Sequence, residues 1–207
     1  MLEASIEGLN QRGFIEINGI AERKEAEALM ASLPEVRPFN GHLWFELTPK
    51  RREDASRGSF SAQHGFGTFP LHTDTAFWNK PARYAAFLSE VASSASTLVL
   101  PACHTKRLLD EHKPNNPIFT RESISGVSYA TPWFGPDSQF IRFDPRYMKP
   151  ANSAAEDFIT AVEREFDEVI RIEWMLPKLL ILDNWRVLHG RESVEDSSRK
   201  LTRQYRG

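Results

Sequence analysis

The chain has 207 residues and a formal net charge of −2, with 41% hydrophobic and 26% charged residues. This length fits one domain with a core of its own, and the charge balance lacks the basic excess typical of nucleic-acid binding. The single cysteine excludes an intrachain disulfide, and neither a secretory signal nor a membrane-length apolar run is present. We therefore expect a cytoplasmic protein with no nucleic-acid or membrane partner.

The first sixty residues predict a strand, a helix, a second strand and a loop. Apolar residues alternate with polar residues over 13–20, which indicates a strand. Apolar residues at helical spacing predict a helix over 21–33, which Pro34 ends. Residues 41–47 are the next strand candidate, and the charged run 49–59 is typical of a solvated loop.

The middle of the chain predicts strands joined by short turns. Residues 69–78 and 83–91 read as two strands around a proline-bounded turn. Small residues at 92–96 predict a link into a third strand at 97–102. A short helix is expected over 106–112, and a proline-rich segment ends it.

The remaining elements are mostly strands, which favours an antiparallel fold. Residues 139–145 predict a strand, and residues 153–168 predict a helix with a capping box formed by Ser153 and Glu156. Further strands are expected at 168–175, 178–184, 186–190 and 200–206. Short strands dominate and few parallel crossovers are available, so we expect a mainly β fold, a sandwich or jelly roll, with peripheral helices.

The segment PLHTDTAFW (70–78) places His72 and Asp74 two residues apart among apolar neighbours. In an extended segment both side chains share one face, and a buried carboxylate without a partner is costly. A divalent cation would compensate for it, and His189 in LDNWRVLHGRE supplies a third ligand. Two imidazoles and one carboxylate on one face of a ferrous ion leave positions open for chemistry. An HxD pair alone is more often a surface ion pair or a core hydrogen bond.

Three motifs in order, FPLHTDTAFW, LDNWRVLHGR and RKLTR, resemble the iron(II)/2-oxoglutarate dioxygenases of the taurine dioxygenase (TauD/TfdA) family, which includes clavaminate synthase and gamma-butyrobetaine hydroxylase. The resemblance extends over about 65–206. It implies a double-stranded β-helix, or jelly roll, in a single domain 1–207, with an N-terminal strand and helix region at 1–60 and the jelly-roll core at 61–207. It also implies hydroxylation of an unactivated C–H bond using Fe(II), 2-oxoglutarate and O2, with succinate and CO2 as co-products.

The resemblance also implies roles for individual residues. The iron ligands would be the HxD pair and His189. Thr97 and Arg199 match the residues that hold the far carboxylate of 2-oxoglutarate. Arg203 matches the second arginine of the family pattern, so it is either an alternative holder of 2-oxoglutarate or a contact for a substrate carboxylate. Arg suits a carboxylate because its planar fork binds two oxygens and keeps its charge.

The substrate is expected to be small, amino-acid-like or carboxylate-bearing, and assembly into a homo-oligomer is left open. Phe77 and Arg142 are further substrate-contact candidates, whereas Asp183 and Asn184 are expected only to close a turn. The alternative function is a cupin-like jelly-roll isomerase or hydrolase that uses the same ligands without 2-oxoglutarate. That alternative gives Thr97 and Arg199 no role.

Overall fold

The chain folds into antiparallel strands with helices outside them, and the structure, a computed structural model, describes residues 2–123, 126–195 and 197–207. The helices are α1 (Leu2–Arg12), α2 (Arg23–Leu29), α3 (Phe60–His64), α4 (Ala102–His112) and α5 (Ser153–Arg164), with 3-10 turns at Lys113–Asn115, Pro136–Ser138 and Glu165–Glu168. The strands are β1 (Phe14–Asn18), β2 (Phe45–Leu47), β3 (Phe69–His72), β4 (Tyr84–Ser89), β5 (Ser93–Leu100), β6 (Phe119–Ser123), β7 (Gly126–Ala130), β8 (Trp133–Phe134), β9 (Phe140–Ile141), β10 (Met148–Pro150), β11 (Ile170–Trp174), β12 (Lys178–Asp183), β13 (Leu188–Arg191) and β14 (Leu201–Arg206).

Two antiparallel sheets form the body of the fold. One has five strands in the order β1-β12-β4-β14-β2, and the other has four in the order β11-β5-β13-β3. Two smaller sheets, β10-β6-β7 and β8-β9, lie beside them. The expected mainly β, antiparallel fold is confirmed, and strands from the N-terminal sixty residues pair within the five-stranded sheet.

The two larger sheets pack face to face around one apolar layer. Phe14, Phe87 and Leu182 from the five-stranded sheet share a buried cluster with Val99 and Trp174 from the four-stranded sheet. Alternate residues on each strand point into this layer, because side chains alternate across a strand. The cluster fixes the distance and orientation of the two sheets.

The helices cover the outer faces of both sheets. Residues of α1 and α2, including Leu9 and Ala26, pack on the outward residues of β4 and β12. Residues of α4 and α5, including Leu108 and Phe158, pack on the four-stranded sheet. This covering explains why β4, with the sequence YAAFLS, is buried at every position: both of its faces meet apolar neighbours.

Several predicted boundaries move in the structure. The strand expected over 69–78 ends at His72, and only Phe140–Ile141 of the expected strand 139–145 is extended. The expected small-residue link is instead the start of β5, where Ser93 lies opposite the bulky Trp174. The helix 153–168 tightens into a 3-10 turn after Arg164.

The predicted capping box at Ser153 is wrong. The side chain of Asn152, one residue earlier, accepts a hydrogen bond from the backbone N–H of Ala155 at 3.0 Å. Asn is as good an N-cap as Ser because its short side-chain oxygen reaches the same unpaired N–H groups. Helices α1 and α3 and the β6–β7 hairpin were not predicted from the sequence.

Within the described residues, no helix is long and apolar enough to cross a membrane.

β13 approaches β3 so closely at Gly190 that no side chain fits there. A Cβ atom at this position would lie 2.5 Å from the carbonyl oxygen of Phe69 and 3.3 Å from that of Pro70. Both contacts are with backbone, which cannot move without shifting β3. Gly190 therefore permits the spacing that brings the neighbouring residue, His189, opposite His72.

We expect Gly190→Ala to lower the free energy of unfolding by about 1–3 kcal/mol, because the added methyl group overlaps backbone atoms of β3. Urea unfolding followed by circular dichroism measures the change. The matched control is Gly8→Ala within α1, where the Cβ would meet side chains and no backbone: a methyl of Ile15 at 3.0 Å and Nη2 of Arg12 at 3.8 Å. The control should stay within about 1 kcal/mol of the wild type. Equal effects of the two substitutions would contradict the assigned role of Gly190.

Candidate metal centre

Three side chains with metal-binding atoms meet between β3, β13 and the turn after β3. His72 and His189 are directly paired in the ladder of these strands, and their ring centroids are 4.4 Å apart. The carboxylate of Asp74 lies 3.6 Å from Nε2 of His72 and 3.3 Å from Nε2 of His189. All three residues are buried, and one ligand atom from each lies within 4.8 Å of the others. The structure thus brings together the three residues that the sequence singled out.

Asp74 reaches this position through a turn and not through a strand. The expectation that His72 and Asp74 share a strand face is wrong, because β3 ends at His72. Thr75 then has φ +55°, in the left-handed region that β-branched residues rarely adopt. Its hydroxyl donates to the Asp74 carbonyl at 2.7 Å and accepts the N–H of Ala82 at 2.8 Å. Such backbone strain often marks a functional position.

Asn184 holds the backbone of Asp74 on both sides. Its fully buried amide accepts the Asp74 N–H at 2.8 Å and donates to the Asp74 carbonyl at 3.0 Å and to the Ala82 carbonyl at 2.8 Å. Asp183 has the expected turn role and accepts the N–H of Trp185 at 3.3 Å. The positioning role of Asn184 was not predicted, since no local pattern reveals a partner 110 residues away.

The protonation of the two imidazoles suits metal binding. Nδ1 of His72 lies 2.9 Å from the carbonyl oxygen of Pro70. The carbonyl oxygen only accepts a hydrogen bond, so Nδ1 carries the proton, and in that tautomer the lone pair of Nε2 faces the centre. Burial, together with the nearby His72, lowers the pKa of His189 to about 4, which keeps this imidazole neutral at physiological pH.

Arg203 neutralises the ligand carboxylate. Burial opposes ionisation of Asp74, but Arg203 and His189 outweigh it and hold the pKa of Asp74 well below its usual value. Nη1 of Arg203 donates to both carboxylate oxygens, at 2.8 and 2.6 Å. The guanidinium lies 4.8 Å from the ring centroid of Phe45 and 4.9 Å from that of Tyr205. Two imidazoles and an ionised carboxylate are the donor set that a ferrous ion takes, so these residues fit that ion.

Thr97 and Arg199 form a second polar group in the same interior. Nη2 of Arg199 donates to the Thr97 hydroxyl at 3.1 Å, and the indole N–H of Trp174 donates to the same oxygen at 3.1 Å. Nε of Arg199 donates to the Ala95 carbonyl at 3.2 Å. Burial, and secondarily Arg191, lowers the pKa of Arg199 to about 9, so it stays charged at neutral pH. Among the described residues no carboxylate pairs with it.

One cavity of about 210 Å³ joins these two groups. Its lining includes the six polar residues of these groups: His72, Asp74, Thr97, His189, Arg199 and Arg203. Phe77 and Arg142 are not among the described residues that line it. Phe60, Arg146 and Arg191 do line it and were missed.

Two of the missed residues pack next to His72: Phe60 contacts its ring, and Arg146 contacts Phe60. The ring centroid of Phe60 is 4.1 Å from that of His72, and the Arg146 guanidinium lies 3.6 Å from the Phe60 centroid. Arg146 is paired with the fully buried Asp144 through Nε and Nη2. The DPR sequence at 144–146 was available as a signal, because an aspartate two residues before an arginine often closes such a local pair.

Comparison with known proteins gives one family match. The model of the taurine catabolism dioxygenase TauD, TfdA family matches residues 103–205. This range includes His189, Arg199 and Arg203, and it begins after the HxD pair. A search of curated proteins found no match.

Solved structures of similar fold cover nearly the whole chain. An asparagine oxygenase in complex with Fe(II), 2S,3S-3-hydroxyasparagine and succinate has 18% identity and a TM-score of 0.77, over 99% of this chain and 77% of its own. PvcB from Pseudomonas aeruginosa has 17% identity and a TM-score of 0.69, over 99% and 79%. The non-heme iron oxygenase OrfP, in complex with Fe and alpha-ketoglutaric acid, has 17% identity and a TM-score of 0.67, over 99% and 77%. At these identities the likeness establishes the fold.

We expect Asn184→Ala to weaken Fe(II) binding by about 10–100-fold, because the backbone of Asp74 loses its fixed position. It should also lower the free energy of unfolding by about 1–3 kcal/mol, since the buried N–H of Asp74 loses its acceptor. Titration calorimetry with Fe(II) under anaerobic conditions measures the affinity. Asn18→Ala, at an exposed position of β1, is the control and should change neither quantity. Unchanged Fe(II) affinity in the Asn184 variant would contradict the positioning role.

The buried neutral His189 should make the metal-free protein less stable in mild acid. Its pKa is about 4 in the folded protein against 6.5 as the ordinary value. Between these values the unfolded chain takes up a proton that the folded protein does not, so the free energy of unfolding falls as pH drops from 6.5 to 4. The loss from this group should approach about 3 kcal/mol.

Urea unfolding in the presence of a chelator, at several pH values between 7 and 4.5, measures this loss. The comparison is His189→Asn, which has no group titrating in that window at this position. Its stability should decline less than that of the wild type. Parallel curves for the two proteins would show that folding does not lower the pKa of His189.

Proposed function

We propose that the chain, whose residues 103–205 match the model of the taurine catabolism dioxygenase TauD, TfdA family, is a member of that family and an Fe(II)- and 2-oxoglutarate-dependent oxygenase that hydroxylates an unactivated C–H bond of a small substrate. The observation that carries this proposal is the convergence of His72, Asp74 and His189 with the Thr97–Arg199 pair in one cavity. The facing antiparallel sheets support a double-stranded β-helix as the fold.

The three ligand residues would hold iron in place of the present contact among their own side chains. Bound iron, 2-oxoglutarate and O2 supply the oxidising chemistry, in which 2-oxoglutarate becomes succinate and CO2 while a substrate C–H becomes an alcohol. The protein fixes the ligands: the strand ladder orients both imidazoles, and Asn184 together with Thr75 orients Asp74. Phe60 and the apolar core around the centre limit access of water to it.

Thr97 and Arg199 would bind the far carboxylate of 2-oxoglutarate. Arg199 is a buried cation with no carboxylate partner among the described residues, and it still has N–H groups free beyond its bonds to Thr97 and Ala95. A bound carboxylate would balance that charge through charge-assisted hydrogen bonds. Arg203 is the weaker candidate for this role, because its Nη1 is engaged with Asp74.

The substrate is proposed to be amino-acid-like or carboxylate-bearing. Related folds have been solved with 3-hydroxyasparagine and with (3S)-hydroxy-L-Arg, each with succinate. Arg203 lines the cavity and has an unpaired Nε, so it is the candidate for a substrate carboxylate. Phe77 and Arg142 would contact only a substrate that extends beyond this cavity. We also propose that the protein is cytoplasmic, and its oligomeric state is left open.

The cupin-like alternative uses the same three ligands but leaves Thr97 and Arg199 without a role. Burying an arginine without a counterion is costly, and nothing in that alternative repays the cost. The pair of residues therefore favours the 2-oxoglutarate enzyme.

The proposal predicts a weak visible charge-transfer band when Fe(II) and then 2-oxoglutarate are added to the metal-free protein without oxygen. The band should be absent in His72→Ala, which loses a ligand. In Arg199→Gln the band should need on the order of 100-fold more 2-oxoglutarate, since one buried charge pair is lost.

The control is Arg171→Gln, which removes an exposed arginine paired with Glu192 and should leave the titration unchanged. Iron binding without any band would reject 2-oxoglutarate as the cosubstrate and favour the cupin-like alternative. A band that depends on Arg203 and not on Arg199 would reassign the arginine.

A further inference from the structure

Arg142 is a buried cation whose charge the metal centre does not use. It is 9% exposed, and Arg191, Arg199 and Arg206 are buried to a similar extent. Each of those three donates to two or more acceptors. Arg142 donates only from Nη2 to the Asn79 carbonyl at 2.6 Å, and its buried Nε has no partner among the described residues. Most of its five N–H groups are therefore free.

Arg121 brings a second positive charge to the same place. Both arginines line one open cavity of about 430 Å³, which shares no lining residue with the metal centre. Arg121 donates to the carbonyl of Phe77 at 3.4 Å, two residues before the carbonyl that Arg142 binds. No acidic residue is among the described residues that line this cavity. Two neighbouring guanidinium groups repel each other unless an anion lies between them, and burial of Arg142 adds to that cost.

The other lining groups suit a small polyatomic anion. Asn116 and Thr131 offer neutral hydrogen-bonding side chains, and Trp133 and Tyr129 supply aromatic walls. Arg142 is held in place by Phe134, whose ring centroid lies 4.9 Å from the guanidinium. A guanidinium with a fixed plane presents parallel N–H groups that match two oxygens of a phosphate or carboxylate.

We propose that the cavity between Arg121 and Arg142 binds a small oxyanion, a phosphate or carboxylate group, at a site separate from the metal centre. The anion bridges the two guanidinium groups and occupies the unused donors of Arg142. Anion binding at this site does not require iron or 2-oxoglutarate, so its test is independent of the proposed oxygenase activity. It also gives Arg142 a ligand although this residue does not line the metal cavity.

The test is a titration of the metal-free protein with inorganic phosphate at constant ionic strength, followed by the indole N–H signal of Trp133 in a nitrogen-15 NMR spectrum. Trp133→Phe assigns the signal. The wild type should show a saturable shift. Arg121→Gln should raise the dissociation constant at least tenfold, whereas Arg171→Gln, which also removes one positive charge, should leave it unchanged.

A second variant separates this site from the arginines of the metal cavity. Arg199→Gln should bind phosphate at Trp133 as the wild type does. A titration with methyl phosphate shows whether the natural ligand is a free anion or a phosphate group on a larger molecule. If the protein binds methyl phosphate as tightly as phosphate, the ligand is a group carried on a larger molecule. If it binds methyl phosphate tenfold more weakly, the ligand is the free anion.

Thermal melting distinguishes the anion site from a purely structural role of the two arginines. Without phosphate, Arg121→Gln should melt at or above the wild-type temperature, because it relieves repulsion, and phosphate should no longer raise its melting temperature. The proposal is overturned if Trp133 does not respond to phosphate in the wild type. It is also overturned if Arg121→Gln binds phosphate as tightly as Arg171→Gln.

Discussion

The burial of the Asp74 carboxylate is the constraint on which the site depends. An ionised carboxylate in a protein interior is tolerated only with compensating charges and hydrogen bonds. Here the guanidinium of Arg203 lies 2.6 Å from the carboxylate and Asn184 bonds to the backbone of Asp74, while His72 and His189 on either side offer the two further ligands of a metal ion. Asn184, His189 and Arg203 lie far from Asp74 in the sequence, so the site is complete only when the whole sheet pair has closed.

The pairing of β3 with β13 determines the positions of the histidines beside Asp74. Direct pairing of His72 with His189 sets the distance between the two rings, and Gly190 permits the approach. The apolar layer around Trp174 keeps the two sheets at a fixed separation. The indole of Trp174 also donates to Thr97, so the same core that stabilises the fold positions the residues proposed to hold 2-oxoglutarate.

The arginines that line the two cavities differ in whether a carboxylate pairs with them. Arg146 is neutralised by Asp144, and Arg203 by Asp74. Arg142, Arg191, Arg199 and Arg206 are buried to a similar extent and have no carboxylate partner among the described residues. Arg191 and Arg206 each donate to three acceptors, whereas Arg199 donates to two and Arg142 to one. A bound anion offsets the free-energy cost of burying a cation that has no counterion. The same physical argument therefore supports the proposed cosubstrate site and the proposed oxyanion site.

The sequence by itself determined the mainly β fold, most of its strands and the three metal-ligand candidates, because alternation of apolar residues and the HxD spacing are local signals. Only the tertiary structure decided how Asp74 reaches the centre, since the turn at Thr75 and the clamp by Asn184 depend on residues far apart in the chain. It likewise separated Arg142 from the metal cavity and placed Arg146 within it. The direction of a long side chain depends on the residues packed around it, and the local sequence pattern does not specify those residues because they come from distant parts of the chain.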